Sequence, residues 1–97
     1  MPQPGTGKVS KRDQAVPLPR FYLIEHRNRL GYSVEEVSRM LRLSHYYYYQ
    51  LESGRRGHKL PIPLVLDLVR VLQIDAIKFL ELESEHVRKH AEINQDI

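Results

Sequence analysis

Two helix-start signals lie eleven residues apart between Ser33 and Gly54, and they leave the intervening chain few options. Ser33-Val34-Glu35-Glu36 is a capping box. The Ser33 hydroxyl can accept from the Glu36 N–H, and the Glu36 carboxylate can accept from the Ser33 N–H. Tyr32 and Val37 flank it at the spacing of a hydrophobic staple. Ser44 is a second N-cap, with Leu43 and Tyr48 at the same staple spacing. Gly54 is a helix stop, since it takes a left-handed conformation without a Cβ clash. Two short helices joined by a tight turn follow from these signals. In the first, Val37 and Leu41 share a face, while Glu35, Arg39 and Arg42 point elsewhere.

The second helix, over residues 45–53, has an unusual surface. At about 100° per residue, Tyr48, Leu51 and Glu52 fall on one face and Tyr46, Tyr49, Gln50 and Ser53 on the other, with Tyr47 at an edge. Four consecutive tyrosines cannot all be buried in one helix. Clustered aromatic surface that stays outside marks a contact face. Glu52 places a carboxylate on the inner face, and Arg27 places a cation in the apolar stripe Leu23, Ile24, Arg27, Leu30 of a preceding helix. A buried charge is costly unless paired, so Arg27 and Glu52 are predicted to meet as a bidentate pair. The competing expectation is that both side chains snorkel to water.

From about Leu23 to Leu80 the chain resembles the phage repressor and Cro-type helix-turn-helix family. The resemblance rests on Arg27, Gly31-Tyr32-Ser33, Glu36-Val37, Leu41-Arg42-Leu43-Ser44 and Leu51-Glu52-Ser53-Gly54-Arg55, in that order and spacing; an arginine–glutamate pair is a feature of the family. It implies an all-α fold of about five helices, a lambda-repressor-like DNA-binding domain. Base reading carries over by position to His45, Tyr46 and Gln50, where Gln50 can make a bidentate contact to adenine. Three positions depart from the family pattern. Arg42 stands where a small residue, often Gly, is usual. Val34 stands where Gln contacts a phosphate. Tyr48 replaces a smaller aliphatic residue, and its hydroxyl needs a partner or water.

Charge is uneven. Residues 1–60 carry eleven Lys or Arg against five Asp or Glu, and residues 61–97 carry four against seven. A basic half suits a phosphate binder. The loop Arg55-Arg56-Gly57-His58-Lys59 follows the second helix directly, so Arg55, Arg56 and Lys59, with Tyr47 and Tyr49, are the expected phosphate contacts. Residues 1–19 are rich in Pro, Gly and polar groups and read as a flexible basic arm, in which Lys8, Lys11 and Arg12 could follow DNA. The domain proper is expected over residues 20–82, with a first helix over 20–30. Pro63 opens a fourth helix whose stripe is Leu64, Val65, Leu68, Val69 and Leu72. Asp75 caps a fifth, in which Phe79 and Leu80 close the core. Residues 83–97 read as a helical extension whose thin face of Leu82, Val87, Ala91 and Ile93 could serve dimerisation, the alternative being an exposed acidic tail, so the expected partners are double-stranded DNA and a second copy.

The chain has no cysteine, hence no disulfide framework, which fits a reducing cytoplasm. It has no apolar run long enough for a membrane span and no signal-peptide core, so no membrane partner is expected. His86 and His90 have the i, i+4 spacing of metal ligands, but Val87 stands where the zinc-protease motif has Glu, and no third ligand is evident. Gly5-Thr6-Gly7-Lys8 lacks the spacing of a phosphate loop. No nucleophile, base and orienter set stands out, so the chain reads as neither an enzyme nor a cofactor binder. The rival reading is a protein-interaction module, antitoxin-like or anti-repressor, using its tyrosine face.

Overall fold

A computed structural model describes residues 16–95. They form five helices in the order α1 (Phe21–Leu30), α2 (Val34–Met40), α3 (His45–Ser53), α4 (Ile62–Leu72) and α5 (Ala76–Ile93). The described residues are all-α. No helix among them is long and apolar enough to cross a membrane.

The helix ends follow the local sequence closely. Ser33 Oγ accepts from the Glu36 N–H at 3.0 Å, and a Glu36 carboxylate oxygen accepts from the Ser33 N–H at 2.8 Å, completing the box. These bonds hold the Glu36 carboxyl below its usual range. Ser44 caps α3 through the Tyr47 N–H at 3.0 Å, and Asp75 caps α5 through the Lys78 N–H at 3.0 Å. The first four helices all stop on a left-handed residue. Two stops are glycine, Gly31 and Gly54; two are not, Arg42 at φ 59° and Gln73 at φ 54°. At Arg42 the turn is a complete Schellman arrangement. The Arg42 N–H donates to the Arg39 carbonyl and the Leu43 N–H to the Ser38 carbonyl, at 3.1 and 2.9 Å. A side chain there costs roughly 1–2 kcal/mol in backbone strain. It also sets the direction in which α3 leaves the turn.

The core is built from Tyr22, Leu23, Val37, Leu41, Tyr48, Leu51, Leu68, Leu72, Ile74 and Phe79. Tyr22 and Phe79 meet edge to face, with ring centroids 5.4 Å apart. Leu64, Val65, Val69 and Leu82 pack against this cluster from its rim.

Three expectations need revision. Leu80 does not close the core, because it is 50% exposed and Phe79 alone fills that place. The expected C-terminal helical extension is continuous with α5, which runs unbroken from Ala76 to Ile93, and its Glu83 is tied to α1 as described below. The face expected from Leu82, Val87, Ala91 and Ile93 divides, with Leu82 against the core and Val87 and Ala91 on the other side of the helix. Val16–Pro19, assigned to the arm, lies against the domain. The Val16 carbonyl accepts from Asn94 Nδ2, and the Leu18 backbone passes so close to Gly54 that no Cβ would fit there. Lys8, Lys11 and Arg12 lie outside the described residues, as do Asp96 and Ile97.

Candidate functional site

The α3 face that looks away from the core carries the expected side chains. Tyr48, Leu51 and Glu52 are buried, while Tyr46 is 67% and Tyr49 48% exposed. His45, the first residue of the helix, is exposed, and Tyr47 is half-buried at the edge. The division follows from the helical period: four neighbouring tyrosines are spread around one turn, and only Tyr48 points inward.

Three outer residues form a connected row. Gln50 Nε2 donates to the Tyr46 hydroxyl at 3.0 Å, and Arg56 Nε donates to Gln50 Oε1 at 2.7 Å. The Arg56 guanidinium also lies over the Tyr47 ring, 5.4 Å from its centroid, in cation–π range. Both ends of the Gln50 amide are thus oriented from within the protein. Each end keeps one free hydrogen-bonding position, an N–H and an oxygen lone pair. Arg55 and Lys59 are exposed on the loop and join no such row.

Behind α3 sits the arginine–glutamate pair. Arg27 Nε donates to Glu52 Oε2 at 2.6 Å and Nη2 to Oε1 at 3.1 Å, a fork-to-fork arrangement. Arg27 Nη1 also donates to the Tyr32 carbonyl at 3.0 Å, so one guanidinium ties α1, the α1–α2 turn and α3 together. Glu52 first, through the hydrogen bond, raises the Arg27 pKa. The neighbouring Tyr48 hydroxyl is buried and makes no hydrogen bond. Burial, then the Glu52 carboxylate, pushes that phenol up.

Sequence reasoning missed a second paired arginine, and this one is fully buried. Arg20, just before α1, is 1% exposed. Its Nε and Nη2 reach the two oxygens of Glu83 on α5, at 2.9 and 2.8 Å. Its Nη1 donates to the Leu51 and Arg56 carbonyls at 2.9 and 3.0 Å, and Nη2 also donates to the Gly57 carbonyl. All five guanidinium N–H groups are thereby used. The Tyr22 hydroxyl donates to Glu83 at 2.6 Å; burial first and then this carboxylate raise the Tyr22 phenol pKa. The basic loop is therefore pinned by its own backbone carbonyls, which leaves its side chains facing out. One signal was available. Glu83 shares a stripe with Phe79, Leu82 and His86, so the argument that flagged Arg27 applied to it as well.

Beyond that anchor the loop meets α5 through histidines. The His58 and His90 rings are 5.5 Å apart and the His86 and His90 rings 6.2 Å apart. Burial, then Arg20, pushes His86 down to about 4. His90 is lowered by burial, then by His58 and Arg20. Among the described residues no group of three or more His, Cys, Asp or Glu side chains is placed to hold a metal ion. No family model, curated protein or solved structure matches the chain.

Proposed function

We propose that this chain is a sequence-specific, DNA-binding transcriptional regulator of the repressor and Cro type, acting as a homodimer with α3 in the major groove. The observation that carries this reading is the outward row Tyr46–Gln50–Arg56. An amide whose two ends are already oriented, on a helix face that no other part of the described chain covers, suits bidentate reading of adenine N6 and N7. Tyr46 and His45 read the neighbouring base edges. Tyr47, Tyr49, Arg55, Arg56 and Lys59 contact phosphates on either side, and Arg56 does so while bracing Gln50.

Selection of random duplex DNA by the purified protein, with binding then repeated at rising salt, tests this. Enrichment of one motif is expected, with paired half-sites about 10 base pairs apart for a dimer. Gln50→Ala should cost about 1–3 kcal/mol and relax one position of the motif. Lys59→Ala should weaken all sequences alike and flatten the salt dependence. Absence of DNA binding at low salt would refute the reading. The exposed Tyr46 and Tyr49 would then favour a protein-binding role, with little salt dependence.

A further inference from the structure

α5 has a second apolar row that the core does not use. Ile77, Leu80, Ser84, Val87 and Ala91 are spaced by three and four residues in alternation, the seven-residue repeat of a helix that packs against another helix. The inward side of α5 holds Phe79, Leu82 and Glu83 instead. Ile77 is 65%, Leu80 50% and Val87 42% exposed, and Ser84 and Ala91 are exposed too. A shallow groove runs along the first half of the row, bordered by Glu81, Glu85 and Arg88. Contiguous exposed apolar groups with a charged rim mark an interaction surface.

We propose that this row is the contact through which two copies of the chain pair, antiparallel, about a two-fold axis between Ser84 and Val87. The inference rests on the dimer part of the reading above and names its surface. Two features select a second copy and this orientation. The first is charge. Glu81 and Arg88 each directly follow a position of this outward row, Leu80 and Val87, and lie seven residues apart. In an antiparallel pair these equivalent positions face each other. Arg88 pairs with Glu85 and Glu92 of its own helix, both at 3.2 Å and exposed, and in the dimer it adds Glu81 of the other copy, so one sequence supplies both halves of two ion pairs. In a parallel pair Glu81 would face Ala76 and Arg88 would face Glu83. Glu83 is already committed to Arg20 and Tyr22 on the inward side. The second feature is size. The antiparallel register sets Leu80 opposite Ala91 and Val87 opposite Ser84, large against small, which is how facing layers interdigitate. The row covers only two repeats, so the association is reversible.

Sedimentation of the full chain over a concentration series tests the proposal without DNA. Concentration-dependent dimerisation is expected. Glu81→Arg or Arg88→Glu alone sets like charges together twice and should weaken the dimer at least about tenfold. The double swap should restore most of the loss. Glu81 is exposed and holds no ion pair within α5, so Glu81→Arg should leave helical circular dichroism unchanged and is the cleaner test, whereas Arg88→Glu also removes the pairs with Glu85 and Glu92. Because the chain has no cysteine, Leu80→Cys should cross-link on oxidation only when mixed with Ala91→Cys. A dimer indifferent to the charge swaps overturns the surface and leaves the dimer reading standing. A chain that stays monomeric overturns both. Association that appears only after removal of residues 1–15 shows that the chain's own N-terminal segment covers the row, and also overturns the proposal.

Discussion

Replacing Arg20 by Met should be among the most damaging single changes in the chain. The buried guanidinium makes five hydrogen bonds, two to Glu83 and three to the carbonyls of Leu51, Arg56 and Gly57. Removing one partner of a buried ion pair costs about 3–5 kcal/mol, because the other charge is left desolvated. Here the Tyr22 hydroxyl still donates to Glu83, and the Leu51 carbonyl still accepts from the Gly54 N–H. The Arg56 and Gly57 carbonyls lie on a loop and can turn to water. The lower part of the range applies, about 3 kcal/mol, a large share of the roughly 5–15 kcal/mol that holds a domain together. Denaturant unfolding followed by helical circular dichroism reads this directly. Arg20→Lys should fall between Met and the parent, since one ammonium with three donors cannot reach both a carboxylate and three carbonyls. The double change Arg20→Met with Glu83→Met should be more stable than Arg20→Met alone, because no uncompensated carboxylate remains. A loss below about 1 kcal/mol for Arg20→Met, or a double variant as unstable as the summed single changes, would refute the reasoning.

Four further outcomes follow from the same geometry. Tyr48→Phe removes a buried hydroxyl that makes no hydrogen bond and should leave stability unchanged or raise it by about 1 kcal/mol in the same unfolding assay. Gly54→Ala should cost far more than Gly31→Ala: both positions are left-handed, but only at Gly54 does a Cβ overlap the Leu18 carbonyl. Thermal melts should separate the two variants clearly, and limited proteolysis should show residues 16–19 released in Gly54→Ala. Arg42→Gly relieves a side chain at φ 59° and should stabilise by up to about 1 kcal/mol, whereas Arg42→Val, branched at Cβ, should destabilise. His86 titrates at about 4 in the fold against about 6.5 when unfolded, so the folded state holds it neutral where the unfolded state takes a proton. Its contribution is fully present above about pH 6.5 and is lost as pH falls toward 4. His86→Leu should flatten the fall in melting temperature across that window.

The sequence made legible whatever depends on neighbours along the chain. Ser33, Ser44 and Asp75 are capping residues because their oxygens reach N–H groups three residues on, and that distance is fixed by the helix itself. The sorting of Tyr46 and Tyr49 from Tyr48 is likewise set by the helical period. Arg27 and Glu52 could be matched because each stood alone as a charge in an apolar stripe. The same logic was available for Glu83 but had no visible mate, since Arg20 precedes its helix and belongs to no periodic pattern. Leu80 shows the converse limit. An apolar residue beside Phe79 at the start of a helix is read as core, yet adjacent residues differ by about 100° in direction, and only one of them can face inward. The outward row on α5 was hidden for the same reason, as its members were read together with Leu82 and Ile93 from another side of the helix.

Arg20 also bears on how the outward face of α3 is held. Its backbone N–H donates to the Glu52 carbonyl at 2.7 Å, and its side chain fixes the Leu51, Arg56 and Gly57 carbonyls. Arg56 therefore enters the row with Gln50 from a loop whose backbone is clamped to α5 through Glu83. The Arg27–Glu52 pair fixes the same turn of α3 from the α1 side. Two arginines, Arg27 partly buried and Arg20 fully buried, thus hold the last turn of α3 at its two edges, one toward α1 and the turn before α2, the other toward α5 and the basic loop. A change at either clamp that leaves the helix folded is expected to act on Gln50 without touching it, by loosening the frame that orients its amide. Arg20→Lys is the informative case. Under the proposed DNA-binding role, if the variant remains folded, its binding to duplex DNA should lose discrimination between motif and non-motif sequence more than it loses affinity at low salt, because phosphate contacts tolerate small displacements that a bidentate base contact does not. Equal losses of both would mean that the clamp serves stability alone.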